Sequence, residues 1–118
     1  LVDDDADIRE VIQLSIETTM GWEVVAVSNG SQALTAAAGG DFDVILLDVM
    51  MPGLDGPATF LRLQEIPKAT DVPVLLLTAK TQRADLNRYE DLGVAGTLQK
   101  PFDPVTIGGQ ITEALGWG

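Results

Sequence analysis

The chain has 118 residues and carries 18 Asp and Glu against 7 Lys and Arg, a net charge of −11, which suits one domain and disfavours nucleic acid and anionic membrane surfaces as partners. With 46% hydrophobic residues it can bury one sizeable core, and with neither cysteine nor histidine it excludes disulfides, thiol chemistry, a Ser-His-Asp triad, a histidine metal ligand and a phosphohistidine carrier within these residues. No apolar stretch approaches the ~18–20 residues of a membrane span and no signal peptide is visible, so a cytoplasmic location is the expectation.

The first predicted element is a strand of which only Leu1 and Val2 precede the acidic run Asp3-Asp4-Asp5. Strands usually need about 5–6 residues, so a few further residues upstream are expected. Ile8, Val11, Ile12 and Ile16 share a helical face and predict a helix over 6–20, ended by Gly21. A second strand is expected over 23–27, with Val25 and Val27 on one face. Asn29 can cap a helix holding Ala33, Leu34, Ala37 and Ala38, stopped by Gly39-Gly40. A third strand is expected over 43–47, whose apolar run Val44-Ile45-Leu46-Leu47 leads into Asp48. After the loop 52–56, Pro57 suits the first turn of a helix carrying Phe60, Leu61 and Leu63 and closing near Pro67. Pro73 leads a fourth strand, Val74-Leu75-Leu76-Leu77, that runs into Thr78. A fourth helix is expected over 82–92 with Gly93 as its stop, and a fifth strand through Gly96-Thr97-Leu98 toward Lys100. Asp103-Pro104 reads as a helix start, with Ile107, Ile111, Ala114 and Leu115 as the buried face.

Five strand–helix alternations imply an α/β domain over residues 1–118: a doubly wound five-stranded parallel sheet with helices on both faces. In such sheets the functional crevice lies at the carboxyl ends of the strands. Asp3 and Asp4, Asp48, Thr78 and Lys100 each stand at such an end, so they are expected to meet. Two carboxylates ~4 Å apart repel by ~1–4 kcal/mol across effective dielectrics of ~80 to ~20, so gathering Asp3, Asp4 and Asp48 is unfavourable without a cation. Hard oxygen ligands favour Mg²⁺. Asp48 can act as a nucleophile toward phosphorus, Thr78 offers a hydroxyl and Lys100 a point charge for a phosphoryl oxygen. Taken singly each has an ordinary role: an acidic run at a helix N-terminus, an aspartate capping a loop, a β-branched strand end, an exposed lysine. Asp5 suits the first of these roles.

Leu1-Val2-Asp3-Asp4, Leu47-Asp48-Val49-Met50-Met51-Pro52-Gly53-Leu54-Asp55-Gly56, Pro73 through Thr78-Ala79, and Lys100-Pro101-Phe102 together resemble the receiver domain of bacterial two-component response regulators, chemotaxis regulators included. The resemblance covers essentially the full length. It implies the flavodoxin-like strand order 2-1-3-4-5. It implies Asp48 as phosphoacceptor; Mg²⁺, or Mn²⁺, held by Asp4, Asp48 and the Met50 carbonyl, with Asp3 acting through a metal-bound water; Thr78 bonding the phosphoryl group; and Lys100 pairing with it. It implies a sensor histidine kinase or histidine phosphotransfer protein as donor. A downstream protein would read the face made by the helix over 82–92, the strand through 96–98 and the last helix. Neither nucleic acid nor membrane is touched directly, and the only reactions catalysed are the domain's own phosphorylation and dephosphorylation. A cis Lys100-Pro101 bond aiming the lysine is also implied.

Three positions depart from the usual pattern. Thr97 stands where many members carry an aromatic residue that swings inward, so coupling is expected to run through residues 79–82 and the helix that follows. Met50 and Lys80 stand at the two positions that tune dephosphorylation, and a thioether cannot orient water by a strong hydrogen bond. Tyr89 is expected on the surface of its amphipathic helix, with packing of that helix or contact with a partner as the alternative. A phosphate shuttle or sink in a phosphorelay is the alternative role. An Asp-nucleophile phosphatase would need a second acid where Met50 stands, and an FMN site would need a phosphate loop where three aspartates stand. No G-x-G-x-x-G or P-loop pattern occurs.

Overall fold

Leu47, Leu75, Leu76 and Leu77 have no solvent exposure, and they lie on consecutive strands whose two faces are both covered, as a parallel sheet requires. The computed structural model describes residues 1–79, 86–100, 102–103 and 105–117, with the backbone only at 86 and 87. The order is α1 (Ala6–Met20), α2 (Gly30–Gly39), β1 (Ile45–Asp48), α3 (Gly56–Leu63), β2 (Val74–Thr78), α4 (Leu86–Asp91), β3 (Gly96–Gln99) and α5 (Ile107–Leu115). The three strands are parallel in the order β1-β2-β3, with Asp48 beside Leu77 and Thr78 beside Gln99.

The two remaining sheet positions are held by single parallel bridges, Val2 to Val27 and Val2 to Leu47. Residues 1–3 therefore lie between the 23–27 segment and β1, which reproduces the order 2-1-3-4-5. Continuous pairing is confined to three of the five expected strands, because Val2 alone bridges the first pair.

Alternation along β1 and β2 sends side chains to opposite faces. One face packs Leu47, Leu76 and Val74 against Ala33 and Ala37 of α2 and Phe60 and Leu63 of α3. The other packs Leu46, Leu75 and Leu77 against Ile12 and Ile16 of α1 and Ile107 and Ile111 of α5. Asp5 caps α1 as its sequence position suggests, accepting from the Asp7 and Ile8 amides at 2.9 and 3.3 Å. Gly21 ends the helix in the left-handed region at φ 68° and donates to Glu17 O.

Several expectations are corrected. Ala114, expected on the buried face of the last helix, is exposed, as is Val11 on the expected apolar face of the first. The helix that carries Phe60 ends at Leu63 and continues as turns toward Thr70. The last helix starts at Ile107 instead of 103–104, because the Asp103 carbonyl accepts from the Thr106 and Ile107 amides and closes a turn first. Tyr89 is buried, not on the surface: α4 turns it into the cluster that holds Phe60, Leu63 and Leu76, with the Arg88 guanidinium 5.9 Å from its ring centroid. Among the described residues no helix is long and apolar enough to cross a membrane.

Candidate functional site

The site forms where the carboxyl ends of residues 1–3, β1, β2 and β3 converge. Register accounts for the convergence. The Val2 amide donates to Leu46 O at 2.8 Å and the Asp48 amide donates to Val2 O at 2.9 Å, so Asp3 leaves the sheet level with Asp48. The Lys100 amide donates to Thr78 O at 2.6 Å, which sets the lysine immediately beyond Thr78. Asp3, Asp4 and Asp48 each turn a carboxylate oxygen inward, all within 4.8 Å of one another. Asp3 and Asp48 are buried and Asp4 is exposed.

Lys100 reaches into this group. Its Nζ lies 2.9 Å from Asp3 Oδ2 and 3.2 Å from Asp48 Oδ1. Asp3 Oδ2 is fully buried, with the Lys100 ammonium set against it. Asp3 Oδ1 accepts from the Asp5 amide at 2.9 Å. Thr78 is buried, and its hydroxyl donates to Leu98 O over a long 3.4 Å. A bond of that length holds the hydroxyl weakly.

Burial, with the Asp3 charge second, pushes the Asp48 carboxyl up to about 6 against the pull of Lys100. Burial alone would lower the Lys100 ammonium, but the hydrogen bond to Asp3 and the charges of Asp48 and Asp3 raise it overall. A carboxyl whose charge is disfavoured by burial and by a neighbouring carboxylate marks a place where a cation is favourable.

The structure thus brings together Asp3, Asp4, Asp48 and Lys100, with Thr78 beside them in the sheet. Met50 follows Asp48 by two residues and turns its side chain to solvent, 69% exposed. Thr97 is half-buried on β3, paired with Leu76. Lys80, the loop residues 80–82 and the Lys100-Pro101 bond lie outside the described residues.

Two supporting features were not foreseen. Arg9 donates from Nη1 to Asp3 O at 2.8 Å and ties α1 to the acidic turn. Gly56 starts α3 directly over the end of β1: its amide donates to Val49 O at 2.9 Å, and a Cβ there would fall 2.4 Å from Asp48 O. Only glycine permits that approach. Asp55 caps the same helix, accepting from the Ala58 amide at 2.9 Å, so the DG pair fixes the loop that leaves Asp48.

The donor set fits a hard divalent cation on the structure's own terms: three carboxylates bring oxygens within 4.8 Å of one another, with the single Lys100 ammonium against Asp3 and Asp48.

Comparison with known proteins agrees with this arrangement. Residues 1–112 match the model of the response regulator receiver domain family. The chain is 36% identical to the "Probable transcriptional regulator ycf27" of Pyropia yezoensis over 98% of this chain and 46% of that protein. It is 37% identical to the uncharacterized transcriptional regulatory protein YkoG of Bacillus subtilis (strain 168), over 98% of this chain and 49% of that one. The chain therefore spans about half the length of these curated relatives. Among solved structures, chemotaxis protein CheY4 of Vibrio cholerae superposes with a TM-score of 0.88 at 31% identity, covering 97% of this chain and 94% of that one. The receiver domain protein of Methanospirillum hungatei JF-1 gives 0.82 at 28% identity, covering 98% and 91%. Matched by the family model over residues 1–112, the chain belongs to the response regulator receiver domain family.

Proposed function

We propose that the domain is a phosphoacceptor switch in which Asp48 takes a phosphoryl group from a histidine kinase or a histidine phosphotransfer protein. The observation that carries this reading is the buried Asp48 carboxylate, raised toward neutrality and paired with Lys100 at 3.2 Å, inside a cluster of three aspartates. Asp48 forms the new O–P bond as the donor's P–N bond breaks. Lys100 stands ready to move from the carboxylates to a phosphoryl oxygen, and the Thr78 hydroxyl to exchange its long bond to Leu98 O for one to the same group. Transfer of this kind is mainly positioning and charge stabilisation.

Asp4, Asp48 and the Met50 carbonyl would hold Mg²⁺, or Mn²⁺, with Asp3 acting through a bound water. The metal would offset the acidic charge and polarise a phosphoryl oxygen. Asp4→Ala is expected to abolish calorimetrically detectable Mg²⁺ binding. Asp3→Asn is expected to weaken binding less, because it removes a contact made through water. Unchanged affinity in Asp4→Ala would remove Asp4 from the ligand set.

Phosphorylation adds about −1.5 to −2 charge at the strand ends and biases a surface that a downstream protein reads. That surface is the face of α4, β3 and α5, and the setting is the cytoplasm. The domain catalyses nothing beyond its own phosphorylation and dephosphorylation. Because Thr97 is too small for an aromatic rotamer switch, coupling runs through residues 79–82 and α4, which Tyr89 anchors in the core. Phosphorylation should therefore shift backbone amide resonances throughout 79–92, and Thr97→Tyr should not be needed for those shifts. Shifts confined to the neighbours of Asp48 would instead favour the phosphate shuttle or sink.

A further inference from the structure

Asp4 is the exposed member of the acidic cluster, so packing does not fix where its carboxylate lies. The backbone on either side has to do so. Asp3 is anchored to the sheet, its amide donating to Val27 O at 3.2 Å. Its Oδ1 accepts from the Asp5 amide at 2.9 Å and its Oδ2 faces the Lys100 ammonium at 2.9 Å. Asp5 is anchored to α1, its Oδ1 accepting from the Asp7 and Ile8 amides.

One residue joins these two anchors. The Arg9 backbone amide donates to Asp5 O at 3.0 Å, and Arg9 Nη1 donates to Asp3 O at 2.8 Å. Both carbonyls that flank Asp4 are therefore held by position 9. The amide bond is the ordinary helical one, which any residue except proline would make there. The bond to Asp3 O is different, because it needs a long side chain that ends in a fixed fork of donors. Arg9 is half-buried, so this bond is partly shielded from water. It also opposes a local strain: Asp3, Asp4 and Asp5 are consecutive like charges, whose repulsion spreads the turn unless something closes it.

We propose that Arg9 is a positioning residue of the cation site, holding the turn 3–5 closed so that the Asp4 carboxylate stays within reach of Asp48. The proposal rests on the reading of Asp4 and Asp48 as Mg²⁺ ligands. Ligands fixed in advance lose less freedom when the cation arrives, so the clamp strengthens binding. The charge of Arg9 has the opposite effect, since a guanidinium beside the site repels a cation. Geometry and charge thus predict opposite signs for its removal.

Calorimetric titration with MgCl₂ separates them. Arg9→Met keeps most of the stem and should weaken Mg²⁺ binding about tenfold or more, the usual scale for losing a residue that orients a metal ligand. Arg9→Lys keeps the charge but ends one atom short, and it should weaken binding as well. Hydrogen exchange in a chelator gives a reading that needs no metal. In Arg9→Met the Asp5 amide should exchange about tenfold faster, while the Val2 and Asp48 amides in the sheet keep their rates. Tighter Mg²⁺ binding in Arg9→Met would show that Arg9 acts by charge alone and would overturn the proposal. Unchanged affinity, or equal acceleration of all three amides, would overturn it too, leaving Arg9 a general stabiliser of the fold. A wild-type domain that binds no Mg²⁺ would overturn the cation site and this role together, whereas a failure confined to the Arg9 variants leaves Asp4 and Asp48 as ligands.

Discussion

Replacing Lys100 with methionine is expected to destabilise the metal-free domain by about 2–4 kcal/mol. Removing one partner of a buried pair typically costs about 3–5 kcal/mol because the remaining charge is left uncompensated. The lower range applies here because the Lys100 side chain is 21% exposed, although the Asp3 side chain is not exposed at all. Methionine keeps most of the aliphatic stem, so lost charge outweighs lost packing. The same variant should gain more stability from millimolar Mg²⁺ than the wild type does, since a bound cation replaces the missing ammonium. Urea unfolding with and without Mg²⁺ measures both effects. A loss below about 1 kcal/mol, the scale of a surface ion pair, would mean that Lys100 does not balance the acidic cluster.

Asp48→Asn is expected to act in the opposite direction. The folded domain holds the Asp48 proton up to a pH of about 6, against an ordinary value of 3.8, mainly because burial and Asp3 disfavour the charge. A group that binds its proton more tightly in the folded state favours folding at low pH. That contribution is present in full below the ordinary value and is lost as pH rises through about 6. Asparagine keeps the shape and removes the charge. It should stabilise the metal-free domain by about 1–3 kcal/mol at pH 7.5, from ~1.4 kcal/mol per tenfold change in proton affinity, and by little at pH 4. Thermal unfolding in a chelator at both pH values reads the difference. A variant less stable than wild type at pH 7.5 would show that the attraction of Lys100 outweighs burial and Asp3. Acceptor chemistry is thus set against stability at this position, a common feature of functional sites.

The site was legible in the sequence because its members are punctuation. Asp48, Thr78 and Lys100 each interrupt an apolar run, and a parallel sheet brings such interruptions to one edge. The sheet order came from the family resemblance, while the runs of β1 and β2, buried throughout, marked the centre of the sheet. Tyr89 was misjudged because helical periodicity alone does not say how far a short helix tilts into the sheet, and α4 buries the ring among Phe60, Leu63 and Leu76. The start of α5 was misplaced because Asp103 spends its cap on a turn, with Oδ1 accepting from the Val105 amide at 2.9 Å. Arg9 was missed because an arginine on a predicted helix gives no local sign that it will reach back to a carbonyl of the preceding turn. Gly56 read as loop glycine, and only the 2.4 Å approach to Asp48 O shows that β1 and α3 meet through it.

The account rests on Asp48 as the acceptor, and intact-mass measurement tests that most directly. Incubated with Mg²⁺ and acetyl phosphate, or with a phosphorylated histidine kinase, the wild-type domain should gain the mass of one phosphoryl group. Asp48→Asn should gain none under the same conditions while remaining folded. An equal mass gain in Asp48→Asn would place the phosphoryl group elsewhere and contradict the account.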